Sequence, residues 1–265
     1  MTPQCAPHPA STSTPARRHR RRRRRSPGPL SVVSVADTTR TEGTDRPVST
    51  PAPPADSHTE THGVGPWPGG VANWPSDDRY DPQLLAEGDR RNVEDRYRYW
   101  RIDAIIADID QRRHRLHIGI ENFGHDFNIG SVVRTANAFA VAAVHIVGRR
   151  RWNRRGAMVT DRYQHLHHHH TVDELLSWAH RRGLQVIGID KVPGSEPIEG
   201  YDLPRDALLL FGQESSGLSP EARAGCEEIL HITQYGSTRS INVGAAAAIA
   251  MYSWALQHAG GSGAS

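Results

Sequence analysis

The chain predicts an α/β fold, a mostly parallel sheet with helices on both faces, and three observations carry that expectation. Short apolar runs alternate with helix-period segments from Leu116 to Gln257. Runs such as Leu116–Ile120 and Ala207–Phe211 are apolar almost throughout, as strands covered on both faces are. Three stretches break off such patterns into glycine with polar or charged residues: Asn128-Ile-Gly-Ser-Val-Val-Arg134, Phe211-Gly-Gln-Glu-Ser-Ser-Gly-Leu218 and Gly236-Ser-Thr-Arg-Ser-Ile-Asn-Val-Gly244. Each could be a turn, but three in order point to one shared pocket at strand ends.

In chain order, Met1 to about Pro75 is rich in Ser, Thr, Pro, Ala and Arg and has almost no periodic apolar pattern. It cannot bury enough surface to offset chain entropy, so residues 1–80 are expected to be a disordered extension. Asn92–Arg113 reads as a helix, with Val93, Tyr97, Trp100, Ile105 and Ile109 mostly on one side, within a helical segment over 81–115 that packs on the core. The core domain is expected over 116–258, with a flexible tail over 259–265. Its strands are Leu116–Ile120, Val144–Val147, Leu184–Ile189, Ala207–Phe211 and Ile229–Ile232. Its helices are Ile129–Phe139, Val172–His180, Ser219–Ala224 and the Ala-rich Ala245–Gln257.

The formal charge of +3 is unevenly placed. Arg17, Arg18 and Arg20–Arg25 supply eight positive charges, and removing eight from +3 leaves −5 for the rest. That run could strengthen nonspecific attachment to RNA or DNA, or be a solvated, dispensable extension. Leu30–Val35 is too short and polar for the apolar part of a secretory signal, and no run reaches membrane length. Cys5 and Cys226 are too few and too far apart for a disulfide framework or metal knuckle, which fits a reducing, cytoplasmic setting.

Residue by residue, Asn128 can cap the helix that begins at Ile129, and Gly130 allows another backbone to approach. Arg134, two turns on among Ile129, Val132 and Val133, should have an anion or acceptor nearby; a structural ion pair would also serve. Glu214 emerges at a strand end, where Arg134 could reach it. Gly212 and Gly217 permit backbone approaches that a side chain would obstruct, and Ser219 followed by Pro220 is a helix start. Ser240 reads as a natural cap for a helix beginning near Ile241. Asn242, one residue inside, is harder to read that way.

Together the three stretches resemble the SpoU/TrmH family of RNA ribose 2′-O-methyltransferases in the SPOUT superfamily. The family pattern runs Asn-x-Gly-x-x-x-Arg-Thr-Ala, then Gly-x-Glu-x-x-Gly-Leu, then Gly-x-x-x-Ser-x-Asn-Val. Every one of those letters is present, in order, over roughly Leu116 to Leu256. Departures are Phe127, Ala140 after Phe139 where Gly is common, and Thr233-Gln234 in place of a frequent Pro-Met. The resemblance implies a sheet whose C-terminal part is threaded into a deep trefoil knot, against the usual rule for chain paths. It implies that the knot binds S-adenosyl-L-methionine and that the working unit is a homodimer acting on tRNA or rRNA, with no metal and no membrane partner. Carried over by position, Gly212, Ile232, Ile241 and Gln234 would hold the cofactor. Arg134, Glu214, Ser240 and Asn242 would form the catalytic cluster, with Asn128 orienting Arg134.

Two further features have bland and functional readings. His165 and His167–His170 look like a metal tract, but neighbouring imidazoles point in opposite directions, which favours a polar surface or dimer-facing element. Arg149, Arg150, Arg151, Arg154 and Arg155, with Trp152 among them, follow a strand end and form either an RNA-gripping loop or a solvated one. Arg112, Arg113 and Arg115 could extend that surface. The alternative function is a catalytically inactive RNA-binding protein that retains the fold. A nucleotide-binding oxidoreductase is excluded, because no Gly-x-Gly-x-x-Gly follows the first strand.

Overall fold

Runs of Val, Ile and Leu set the strands, and their order sets where polar residues can surface. The computed structural model describes residues 63–124 and 128–260. Seven strands run β1 His114–Asn122, β2 Val141–Gly148, β3 Leu166–His169, β4 Gln185–Ile189, β5 Glu196–Pro197, β6 Ala207–Phe211 and β7 Glu228–His231. They form one sheet in the order β3-β2-β1-β6-β4-β7-β5, every pair parallel. All strand C-termini therefore emerge along one edge. The helices are α1 Pro82–Glu87, α2 Ile102–Asp110, α3 Ile129–Ala138, α4 Val172–Arg181, α5 Pro220–Ala224 and α6 Val243–His258.

Period-two geometry divides the core. Leu116, Ile118 and Ile120 of β1, with Leu209 and Phe211 of β6, meet Val132 and Val133 of α3 and Ala250 and Met251 of α6. Leu208 and Leu210 of β6, with Val186 of β4, meet Leu175 and Ala179 of α4 and Ala222 of α5 on the opposite face. Both faces are filled, which is why β6 is apolar at every position; each such Leu or Phe stabilises by about 1.5–3 kcal/mol relative to exposure.

The structure corrects several expectations. Asn92–Arg113 is not one helix: a short 3-10 turn at Asp95–Tyr97 is followed by α2 alone. The break is at Tyr99, which has φ 64. Fully buried Asp89 holds it there, accepting from the Tyr99 N–H at 2.9 Å and from the Arg91 guanidinium at 2.7 and 2.9 Å. The ordered chain also begins before Asp81. Val64 pairs with Asp89, the Tyr99 hydroxyl donates to the Gly65 carbonyl at 2.6 Å, and the Trp67 ring packs edge-on against Tyr80 and Tyr99. Aromatic contact, which needs no periodic pattern, orders this segment. Residues 1–62, with the arginine run and Cys5, and residues 261–265 lie outside the described residues, as does Phe127.

The histidine tract is an edge strand, and alternation assigns its rings. His167 faces His145 of β2 at 5.0 Å between ring centroids, and His169 Nε2 meets His145 Nδ1 at 2.9 Å. His145 Nε2 in turn meets His117 Nδ1 of β1 at 3.1 Å, and Trp178 of α4 covers the group. On the other face His168 Nε2 meets the Gly148 carbonyl oxygen at 2.8 Å. Among the described residues no group of three or more His, Cys, Asp or Glu is arranged to hold a metal ion.

Burial, reinforced by neighbouring imidazoles and Arg182, pushes His117 down to about 4 and His145 to about 2. Burial also lowers His167 and His169, although Glu174 opposes the shift of His169. A histidine whose folded pKa lies below its unfolded value near 6.5 binds protons preferentially in the unfolded chain. Stability is then full above pH 6.5 and falls as pH drops from there towards 4. Urea denaturation is expected to show a loss of about 1–3 kcal/mol between pH 7.5 and 5.0, with a shallower slope in His117→Gln.

Candidate functional site

The site is built where β6 ends. Phe211 is the last buried strand residue, and the chain after Gly212 turns back on itself at once. Gln213 N donates to the Gly217 carbonyl at 3.0 Å, and Gly217 N returns a bond to the Gln213 carbonyl at 2.8 Å. A Cβ on Gly212 would stand 2.0 Å from the Gly217 carbonyl carbon and 2.1 Å from the Leu218 nitrogen, so only glycine fits. Two carboxylates from neighbouring strands fasten the far side of this loop. Asp190, just after β4, accepts from Leu218 N at 2.9 Å, and Glu121, near the end of β1, accepts from Ser219 N at 2.8 Å. Burial raises the Glu121 carboxyl above its usual range; its Oε1 is buried with no hydrogen-bond partner. Ser219 then caps α5, accepting from Ala222 N at 3.1 Å.

A second element converges from α6. Asn242 is its N-cap, accepting on Oδ1 from Gly244 N at 2.8 Å and Ala245 N at 3.3 Å. Its amide nitrogen donates to Asn128 Oδ1 at 2.9 Å and to Glu214 Oε1 at 3.2 Å. The Asn128 amide also donates to Glu214 Oε1. Asn128, Glu214 and Asn242, from three different segments, form one polar triangle. The cap assignments are thereby reversed from expectation. Asn242, not Ser240, caps α6, and Asn128 sits at the N-cap position of α3 without a side-chain cap bond, its amide turned to Glu214 instead.

Between the two elements lies a cleft of about 370 Å³. Gly212, Glu214, Ile232, Gln234, Ser240 and Ile241 all line it, so six of the nine expected cofactor and catalytic positions share its walls. Gln234 Oε1 is buried there without a hydrogen-bond partner, an acceptor left for whatever the cleft holds. Sequence reasoning missed Asp190 and Glu121. Each is an acid closing an apolar strand pattern, the same signal that singled out Glu214.

Arg134 is elsewhere. It is exposed, sits about 9 Å along α3 from Asn128 and lines a different groove, so neither the bond to Glu214 nor orientation by Asn128 is present. Gly130 meets its expectation: a Cβ there would come within 2.6 Å of Ala157 N and 2.8 Å of Gly156 Cα. The arginines after β2 emerge on the cleft edge of the sheet. Arg149, Arg150, Arg151, Arg154 and Arg155 are exposed, Asn122 Nδ2 holds the loop by the Arg149 and Arg151 carbonyls at 2.7 and 3.1 Å, and Arg154 pairs with Asp161 at 3.2 Å. Trp152 is half-buried against the core, with Arg154 5.5 Å from its ring, so it is not a free stacking face. Arg112, Arg113 and Arg115 flank the start of β1, at the opposite edge of the parallel sheet from the loop that follows β2, and so do not extend that surface; they pair with Asp108, Asp110 and Asp206.

A parallel α/β sheet with a cleft at its strand ends defines a ligand-binding architecture. The chain belongs to the SpoU rRNA Methylase family, whose model matches residues 115–252. Escherichia coli (strain K12) tRNA (guanosine(18)-2′-O)-methyltransferase is 27% identical over 158 residues, 58% of this chain and 68% of the relative. The fold matches the A. aeolicus TrmH/SpoU tRNA modifying enzyme at a TM-score of 0.54 and 21% identity, covering 60% of this chain and 82% of that one. It also matches the Streptomyces viridochromogenes SpoU methyltransferase AviRb, in complex with the cofactor AdoMet, at 0.52 and 23% identity over 58% and 65%.

The cap assignment separates Asn242 from Ser240 in stability. Asn242→Ala is expected to lose about 1 kcal/mol in chemical denaturation, while Ser240→Ala stays within about 0.5 kcal/mol of the parent chain.

Proposed function

We propose that the protein transfers a methyl group from S-adenosyl-L-methionine to a ribose 2′-hydroxyl of tRNA or rRNA. The observation that carries this reading is the cleft itself, where the motif positions Gly212, Glu214, Gln234 and Ser240 converge around an unpartnered acceptor. The family match and the naming of the Escherichia coli relative as a tRNA guanosine 2′-O-methyltransferase support the reaction class. Intact Glu214, Ser240, Asn242 and Arg134 speak against an inactive RNA-binding protein.

The residues present fit the cofactor. Gln234 Oε1 would accept from an amino or hydroxyl group, the backbone around Gly212 offers a close polar wall, and Ile232 and Ile241 offer apolar contact. S-adenosyl-L-methionine, when bound, supplies an activated methyl carbon on a sulfonium. The protein's task is then positioning and exclusion of water. Glu214 is fixed by the Asn128 and Asn242 amides, which keeps a carboxylate at the cleft mouth. Arg134 would clamp a substrate phosphate through its guanidinium fork and so steer the hydroxyl. The basic loop Arg149–Arg155 would add phosphate contacts along the same edge.

The further parts of the reading have their own support. A C-terminal trefoil knot is supported by the path of the chain. β4 lies between β6 and β7, and the segment after β7 returns past the β6 loop before α6 packs beside α3. A homodimer is supported by Ile249, Tyr252 and Leu256, exposed by 40, 55 and 66% at helical spacing on α6. Such an enzyme would work in the cytoplasm; among the described residues no helix is long and apolar enough to cross a membrane.

Labelled methyl transfer to RNA, followed by mapping of ribose methylation in cells with and without the gene, tests the reaction. Arg134→Lys is expected to keep cofactor affinity but lose at least about tenfold in turnover, because a point charge replaces the bidentate fork. Normal turnover by Arg134→Ala would refute the assigned role.

A further inference from the structure

A second groove lies where the strands start, at the edge of the sheet opposite the cleft after β6. Its volume is about 380 Å³, and Arg115 and His117 of β1, Ala142 of β2, His165 ahead of β3 and Arg182 at the end of α4 line it. Asp110 is the lining carboxylate, and Arg113 at 2.6 Å and His165 at 2.8 Å already occupy it. Arg115 is paired with Asp206 at 2.7 Å, but the pair is exposed, and a surface pair of that kind yields readily to another anion. The Arg182 guanidinium stands 4.2 Å from the Trp178 ring centroid and makes no ion pair among the described residues. The groove therefore carries one arginine charge with no acid against it.

His117 joins this groove to the interior. Its Nδ1 meets His145 Nε2 at 3.1 Å, and His145 Nδ1 meets His169 Nε2 at 2.9 Å, so His117 Nε2 is the nitrogen left to the groove. A neutral imidazole has one N–H, so the three rings must all donate in one direction. Donation towards His169 puts its Nδ1–H beside Glu174, 3.9 Å away, and leaves His117 Nε2 bare. Donation the other way sends an N–H into the groove, but turns a lone pair of His169 Nδ1, buried without a hydrogen-bond partner, towards that carboxylate. One added proton satisfies both ends: carried on His117, it leaves buried His145 neutral, keeps an N–H towards Glu174 and offers another to the groove. Burial opposes that proton first, then the facing charges of His167 on β3 and Arg182 on α4. On its other side β1 pairs with β6, which sets Leu208 opposite His117 and adds no charge.

We propose that this groove binds a phosphate group between Arg182 and His117, and that the histidine chain takes up a proton with it. Tetrahedral oxygens point in separate directions, so one phosphate can meet the Arg182 fork, Arg115 and His117 Nε2 together. An anion placed there offsets the Arg182 charge and favours the charged form of His117, so binding tightens as pH falls. The phosphate is either a free ion or part of a nucleic-acid backbone. The groove and the cleft lie at opposite edges of the sheet, so the inference does not rest on the methyl-transfer reading.

The full chain, Arg182→Gln and His117→Gln are titrated with inorganic phosphate, with sulfate, a tetrahedral dianion whose own charge is constant over this range, and with bulk tRNA and rRNA. Histidine ring signals are followed by NMR, and the signal missing from His117→Gln identifies that residue. In the parent chain both ions should shift the His117 signal, and sulfate affinity should rise about three- to tenfold from pH 7.5 to 6.0. Arg182→Gln should lose about tenfold in affinity for either ion, and His117→Gln should bind sulfate without that pH dependence. If Arg182→Gln also weakens RNA binding and lowers its salt dependence by roughly one ion, the ligand is a backbone phosphate; if RNA binding is unchanged, it is a free ion. A His117 signal that no anion moves overturns the proposal. So does equal sulfate affinity in the parent and in Arg182→Gln, an exposed substitution that keeps the fold. Sulfate binding of the same strength at both pH values overturns the proton uptake.

Discussion

The fold of this site depends on one tight return of the backbone. Residues 213–217 come back over Gly212 closely enough that no Cβ fits, and two carboxylates from flanking strands, Asp190 and Glu121, hold the returning N–H groups. A buried carboxylate that accepts a backbone N–H contributes more than a neutral hydrogen bond, and removing it would leave a buried donor unpaired. The loop is thus pinned from the sheet outward. Glu214 stands between the Gly212 return and the pinned Leu218 and Ser219 N–H groups, with the Asn128 and Asn242 amides on its Oε1.

Parallel pairing explains why so many polar groups meet there. Each strand delivers its C-terminal residue to the same edge, so Asn122, Gly148, Asp190, Gly212 and the segment after His231 become neighbours although they span more than half the folded chain. The helices add their N-termini to that edge. Asn128 and Asn242 stand at the starts of α3 and α6, and their amides close on Glu214 across two separate strand-to-helix connections. A cleft bounded by strand ends and helix starts offers oriented backbone groups at little reorganisation.

The strands were legible because burial on both faces writes itself as continuous apolar runs: β6 was read at its true boundaries, β1 was read short where polar ends extend the ladder, and β2 was read short at its Val141–Ala143 start and at Gly148. The glycine motifs were legible for a related reason, since Gly212 and Gly130 answer steric demands that no other residue meets. What failed was context. The periodicity of Val93, Tyr97 and Trp100 is real, yet Asp89 captures the Tyr99 backbone and breaks the helix. Ser240 has the better capping propensity by position, but Asn242 wins because its amide also reaches Asn128 and Glu214. Arg134 illustrates a limit of a different kind: helix pitch alone carries it about 9 Å from the triangle that its motif neighbour Asn128 joins. The histidine tract reads as a polar surface or dimer-facing element, which holds for exposed His167, whereas β3 buries His169 beside His145.

The central claim is that the loop after β6 and the segment leading into α6 are two walls of one cofactor cleft. Hydrogen exchange of backbone amides, with and without saturating S-adenosyl-L-methionine, tests it most directly. The account predicts slowed exchange at residues 212–218 and 232–244 together, with the basic loop at 149–155 unchanged. Protection confined to one of those segments, or appearing only at the arginine loop, would contradict it.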